Sequence, residues 1–240
     1  MGTAVLERSI EKNRAAQNAA RDTIHELHAL VRPGMSEKEI ETLALEGLVR
    51  RGSDSWWYHG VGALVLLGPR SRVSTSGLNY YASETNILGD NDVVTLDLAP
   101  TIGGYWGDYA RTIFIENGAA APEDQPSTPA FRQGLDAELH LHEMLMRTAR
   151  PDSTFEEIYY KLNEEIERIG FVNLDYKKNL GHTVEVLEQD RIYIEKGVRS
   201  TFAELARPFT FEPHIAREGG DRGFKRENIY YFEGDALRCL

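Results

Sequence analysis

The stretch VVTLDLAPTIGGYWGDYARTIFI, Val93 to Ile115, most narrows what this chain can become. Two apolar, β-branched runs flank a glycine pair, which is the pattern of two strands and a turn. Asp97 is apolar on both sides, as in a strand buried on both faces. A carboxylate buried there without a partner costs on the order of several kcal/mol. Asp97 therefore needs a cation, an arginine or a set of backbone donors, and Arg111 is one candidate. Asp108 makes the same demand in the second run. Glu212 in FTFEPHI and Glu227 in FKRENIYYF make it again. For any one of these acids a salt bridge or an exposed edge is the plainer reading. Four of them, with few bases alongside, favour a shared divalent metal. Oxygen ligands with one imidazole, His182 in NLGHTVEV, suit Mn, Fe, Co or Zn.

The segments around these acids repeat. LHALVRPGMSEKEIETLALEGLVRRG and HEMLMRTARPDSTFEEIYYKLNEEIERIGF both read as a helix, an Arg-Pro turn and a Ser- or Thr-capped helix ending at glycine. Ser36 with Glu39 forms a capping box. Strands follow each copy, over GALVLLG, RVSTSG, VVTLDLA and ARTIFIE in the first half and RPFTFEPHIA and NIYYFEG in the second. Each half then carries an acid pair, 11 residues apart at Asp97 and Asp108 and 15 apart at Glu212 and Glu227. One α+β domain of 240 residues accounts for this, with pseudo-symmetric halves over about 1–118 and 130–240 and a mobile linker over 119–129. Two separate domains do not, because neither half has strands enough to cover its own sheet.

The formal net charge of −11 disfavours nucleic acid and anionic membrane as partners. The one cysteine, Cys239, excludes a disulfide framework and favours a reducing, cytoplasmic setting. No apolar run is long enough to span a bilayer, and the start of the chain lacks a signal-peptide core. The opening Met-Gly matches the first residues of a myristoylation site, but Leu6 stands where Ser or Thr is required. His140 and His142 read as helix-surface residues without a role.

The whole chain resembles the pita-bread metallopeptidases, which include methionine aminopeptidase, aminopeptidase P, prolidase and the fold-related creatinase. VRPGMSEKEI, YHGVG, LDLAPTIGGYWGDYARTIFI, LGHTVE, FTFEPHI and GFKRENIYYFEGDAL carry the resemblance. It implies a curved antiparallel sheet covered by helices. It implies two divalent ions, Mn, Fe or Co rather than Zn, on Asp97, Asp108, His182, Glu212 and Glu227, with Asp108 and Glu227 bridging. It makes Glu212 a general base as well as a ligand, and Glu233 an exposed turn residue. The activity it implies is hydrolysis of an amide or peptide bond near a free amino group, in a small molecule or short peptide. A homodimer is a candidate assembly.

The match departs from the family around the substrate. The family's second histidine falls on Gln189 and its next glycine on Glu185. The histidine before the first aspartate is replaced in TSGLNYYAS, which offers Ser76, Tyr80 and Tyr81. His59 matches the Tyr-His-Gly of the methionine enzymes and is the candidate for a catalytic or substrate-binding histidine. His214 is an addition after Glu-Pro. His59, Ser76, Tyr81, Gln189 and His214 are thus the expected substrate-binding residues. Glutamine cannot deliver a proton at neutral pH. A metalloenzyme for a small amino-acid-like metabolite, by hydrolysis, elimination or oxidation, is therefore a second reading. A catalytically inactive binding module is a third.

Overall fold

The computed structural model describes residues 3–240. Met1 and Gly2, and with them the myristoylation-like start, lie outside the described residues. In chain order the elements are α1 (Thr3–Leu30), α2 (Glu37–Arg50), β1 (Ser55–Trp56), β2 (Ala63–Leu67), β3 (Asp92–Leu98), β4 (Pro100–Ile102), β5 (Tyr105–Trp106), β6 (Tyr109–Glu116) and β7 (Ala119–Ala120). They continue with α3 (Pro129–Thr148), α4 (Phe155–Arg168), β8 (Phe171–Asn173), α5 (Phe202–Leu205), β9 (Phe209–Phe211), β10 (His214–Arg217), β11 (Gly223–Lys225), β12 (Asn228–Glu233) and β13 (Ala236–Cys239). The strands form four antiparallel ladders, ordered β2-β3-β6-β7, β1-β4-β5, β11-β10-β8 and β13-β12-β9. None of the described helices is long and apolar enough to cross a membrane.

Both helices after the Arg-Pro turns begin as the sequence predicts. Ser36 accepts from Glu39 and Thr154 from Glu157, each with the reciprocal glutamate bond. Such a cap contributes about 1 kcal/mol. The two halves have their own cores. Leu27, Ile40, Leu48, Val65, Leu96 and Ile115 pack between α1, α2 and the β2-β3-β6 ladder. Phe155, Leu162, Phe209, Phe211 and Ile215 pack between α3, α4 and the later ladders.

Three expectations change. RVSTSG is not a strand. Gly68–Arg72 is a 3-10 turn with Pro69 at its start, and Ser71 Oγ accepts from Gly223 N at 2.7 Å. That contact bends the chain across β11 before it can pair. The segment 119–129 is not a free linker. Ala119 and Ala120 pair with β6, and the Glu116 carboxylate takes bonds from Ser127 N, Ser127 Oγ and Thr128 N. Between Asp97 and Asp108 the chain does more than turn. β4 leaves the main ladder to pair with β1 on one side and β5 on the other, and Asp108 stands one residue before β6.

His142 is buried rather than on the surface. Its Nδ1 meets Tyr230 Oη at 2.8 Å and its Nε2 meets Arg226 O at 3.1 Å. It lies on the α3 face that packs against the second core, while His140, two residues earlier, reaches outward to Glu165. On the same helix Glu138 is buried, and its Oε1 has no hydrogen-bond partner among the described residues. Burial raises its pKa to about 8, against the pull of Arg226 and Arg111. Because the folded value exceeds the unfolded one, the unfolded chain ionises first as pH rises. Stability is full below the unfolded carboxylate range and is lost as pH climbs through about 8. Glu138→Gln removes that loss. It is expected to stabilise the fold by about 4 kcal/mol at pH 8 and by little at pH 4.5, read from urea midpoints at both pH values.

Candidate metal centre

Strand pleating decides what reaches the centre of the molecule. Along β3, Val94, Leu96 and Leu98 face the helices in the first core. Thr95 and Asp97 face the other way, into a cavity of about 410 Å³ that Leu64 and Leu66 of β2 also line. Asp97 lies opposite Ala110 in register, and Arg111 lies opposite Leu96. Successive strand residues point to opposite faces, so Arg111 cannot meet Asp97. Its guanidinium instead bonds Ala110 O at 2.7 Å, Glu227 O at 2.8 Å and Asn228 Oδ1 at 2.8 Å. Arg111 is thus a backbone clamp on Glu227, and the cation that meets Asp97 is Lys225. Its Nζ stands 2.5 Å from Asp97 Oδ2 and 2.9 Å from Glu212 Oε2.

Each of the other acids is fixed by the backbone around it. The Gln17 side chain accepts from Asp108 N at 2.7 Å and donates to Asp108 O at 2.9 Å, tying the residue to α1. Glu212 N donates to Leu180 O, and Glu227 N donates to Ala110 O, which joins the second half of the chain to β6. His182 is held through its backbone by Thr210, and its Nδ1 lies 3.0 Å from Thr183 O. That contact places the proton on Nδ1 and leaves the Nε2 lone pair pointing inward. Nε2 faces Asp108 Oδ2 at 3.6 Å and Glu212 Oε1 at 3.7 Å.

An acceptor facing acceptors needs a cation between them. Asp108 Oδ2, Glu227 Oε1 and Glu227 Oε2 are buried with no hydrogen-bond partner among the described residues. Asp97, Asp108 and Glu227 each bring one oxygen within 4.8 Å of the others. Burial first, and then the neighbouring carboxylates, push Asp108 and Glu227 well above the usual carboxylate range. Burial lowers His182 to about 4, so its imidazole is neutral and able to ligate. Burial also acts to raise Glu212, but the Lys225 ammonium leaves it below its ordinary value. This donor set of hard oxygens and one neutral imidazole fits a divalent cation.

The rim of the cavity agrees less closely with the sequence reading. His59 and Ser76 line it, as does His214, whose Nε2 meets Ser71 O at 2.6 Å. Burial lowers His214 to about 4. Tyr81 does not join them, because its exposed ring lies over Arg70 on the outer surface. Gln189 is also outside. It sits in the 3-10 turn Glu188–Asp190, which turns its side chain to solvent. Arg191, two residues on, does line the cavity, and Glu188 ties it to His59. Glu188 takes the His59 backbone N–H at 3.0 Å and His59 Nδ1 at 2.9 Å, and it holds Arg191 Nη2 at 3.1 Å. Arg191 lies 5.1 Å from the Trp57 ring and 5.3 Å from those of Tyr58 and Tyr193. The signal for this pair is the i, i+3 spacing of Glu188 and Arg191 beside an aromatic run. Counting residues from His182 passed over it.

The profile of metallopeptidase family M24 matches residues 11–233. A methionine aminopeptidase from Helicobacter pylori is 27% identical over 200 residues, covering 80% of this chain and 73% of that protein. One from Aquifex aeolicus is 24% identical over 169 residues, covering 69% and 62%. Among solved structures, an X-Pro aminopeptidase from Thermotoga maritima superposes with a TM-score of 0.80 at 23% identity, over 97% of this chain and 60% of that one. A prolidase from Pyrococcus horikoshii superposes with a TM-score of 0.77 at 20% identity, over 97% and 61%. This chain therefore spans about three-fifths of the length of those solved chains. The likeness to them is one of fold, an α+β pita-bread with two pseudo-symmetric halves. Together with the profile match along almost its whole length, this places the chain in metallopeptidase family M24.

Proposed function

We propose that this chain is a metal-dependent hydrolase acting on an amide or peptide bond beside a free amino group. The observation that carries the reading is the convergence of Asp97, Asp108, His182, Glu212 and Glu227 around carboxylate oxygens that lack donors of their own. A divalent ion bound there, Mn, Fe or Co in preference to Zn, would lower the pKa of a water and polarise a carbonyl. The chain's own residues supply the rest. Glu212, held ionised by Lys225, accepts the proton of the attacking water and passes it to the leaving nitrogen. His59, fixed through Nδ1 by Glu188, presents its other ring nitrogen to the substrate. His214 and Ser76 border the same space. A cavity of about 410 Å³ suits a short peptide or small molecule. We read the chain as a single domain with halves over about 1–118 and 130–240, which the paired capping boxes support.

A second reading, a metalloenzyme for a small amino-acid-like metabolite, is favoured by the rim. Glu188 and Arg191 stand beside the site, and no histidine occupies position 189. The inactive-module reading is disfavoured because all five ligands are kept. The test is turnover of aminoacyl and Xaa-Pro peptides by chelator-stripped protein reloaded with Mn, Co or Fe. Metal-dependent cleavage supports the hydrolase. Stoichiometric metal with no cleavage moves the assignment to the second reading, and no metal uptake moves it to the third. Because Gln189 is exposed, Gln189→His is expected to change activity by no more than about twofold, as for an ordinary surface substitution. A marked gain of peptidase activity would show that position 189 reaches the substrate.

A further inference from the structure

Lys225 is the residue of the centre that a shared metal site does not call for. β10 and β11 pair so that Ile215 lies opposite Phe224, both in the core, and His214 lies opposite Lys225, both toward the cavity. The Lys225 side chain is 13% exposed, and its ammonium lies 2.5 Å from Asp97, 2.9 Å from Glu212 and 3.8 Å from Glu227. An ammonium is a compact point charge with three donors and no acceptor. Here the donors meet carboxylates from both halves of the chain, which is what a bound cation would do.

The cluster is therefore divided. On one side Asp97 and Glu212 already share a positive charge. On the other, Asp108 Oδ2 and Glu227 Oε1 have no hydrogen-bond partner among the described residues, and His182 Nε2 looks at oxygens. Charge points the same way. One divalent ion and the ammonium leave the four carboxylates with a single net negative charge. Two divalent ions beside the ammonium would leave one positive charge in a buried site, which only a bound hydroxide would cancel.

We propose that the Lys225 ammonium takes the place of one of two cations, so that the chain binds one divalent ion, held by Asp108 and Glu227 with the Asp97 oxygen that converges on them. This rests on the metal-centre reading above. It makes Lys225 a resident, metal-independent counter-ion for Asp97 and Glu212.

The experiment is metal stoichiometry on the full chain. Protein is stripped with chelator, dialysed against Mn²⁺ or Co²⁺, and measured by elemental analysis and by calorimetric titration. Wild type is expected to hold one ion per chain, Lys225→Met two, and Lys225→Arg one. Two ions in wild type overturn the proposal without reliance on any variant. One ion in a Lys225→Met protein that melts cooperatively overturns it as well. No ion in wild type overturns the metal-centre reading itself, a failure distinct from the other two. If Lys225→Met does not fold, Lys225→Gln takes its place, with the same expected rise from one ion to two.

Discussion

Glu227→Gln is expected to weaken divalent-metal binding by at least about 100-fold and to raise the melting temperature of the metal-free protein. Removing even an outer partner of a ligand typically costs 10- to 100-fold in metal affinity, so loss of a ligand itself should exceed that range. The second half of the prediction is the more discriminating. The Glu227 side chain is 1% exposed, and neither of its oxygens has a hydrogen-bond partner among the described residues. Asp108 and Glu212 surround it with like charge. Without a metal this is a buried carboxylate whose nearest cation, Lys225, stands 3.8 Å away and is already engaged by Asp97 and Glu212, and replacing it with a neutral isostere relieves on the order of 1–3 kcal/mol. Arg111 would still clamp the backbone carbonyl of residue 227, so the local fold should persist. Calorimetric titration with Mn²⁺ and thermal melts in chelator measure the two effects. A metal-free variant less stable than wild type would mean that Glu227 is a structural acid and not a ligand.

Gly181→Ala is expected to be the most damaging single methyl group that can be added beside the site. Gly181 has φ +144°, and a Cβ built there would lie 2.1 Å from Thr210 O. Relief would require moving the backbone that holds His182, since Thr210 N donates to His182 O at 2.7 Å and Ile194 N to Gly181 O at 2.7 Å. Overpacking against backbone and strain in a rare backbone region together cost about 3 kcal/mol or more. In a chain of 240 residues that amounts to a drop of about 6–12 °C in melting temperature. The control is Gly103→Ala. It also carries a positive φ, +58°, but meets nothing within 4 Å, so about 1–2 kcal/mol is expected. Equal losses at the two positions would show that dihedral strain alone sets the cost. A larger loss at Gly181, with weakened metal binding, ties the clash to the placement of His182.

The acids themselves were legible because each stands alone in an apolar or glycine-marked segment. Asp97 inside VVTLDLA and Glu212 inside FTFEPHI have no solvent-facing alternative nearby, and burial cost makes such residues conspicuous. The capping boxes at Ser36 and Thr154 were legible for a related reason, since both partners of the cap lie within one turn. Arg111 is only a candidate partner for Asp97 in the sequence, which shows that it is near Asp97 in the hairpin but not which face it takes. The pleat puts it opposite Leu96, on the far side of the ladder. Gln189 stands at the sequence offset of a family histidine, but a 3-10 turn puts it in solvent, and Arg191 just after the turn lines the cavity instead, held by Glu188. His142 looked like a surface residue because helix periodicity alone does not say which flank of α3 meets the second core.

The sequence by itself determined which side chains could bear the chemistry, because burial of charge and local capping are written in short segments. The pairing of those side chains was decided only by the tertiary structure. Lys225 is 128 residues from Asp97 and 13 from Glu212, and it meets both only because β11 packs against β6 and sets Lys225 in register with His214. Lys225 N donates to Thr112 Oγ1, and Glu227 N donates to Ala110 O, which closes the two halves over the acids. Contacts of that kind depend on how two sheets meet, and no local periodicity encodes them.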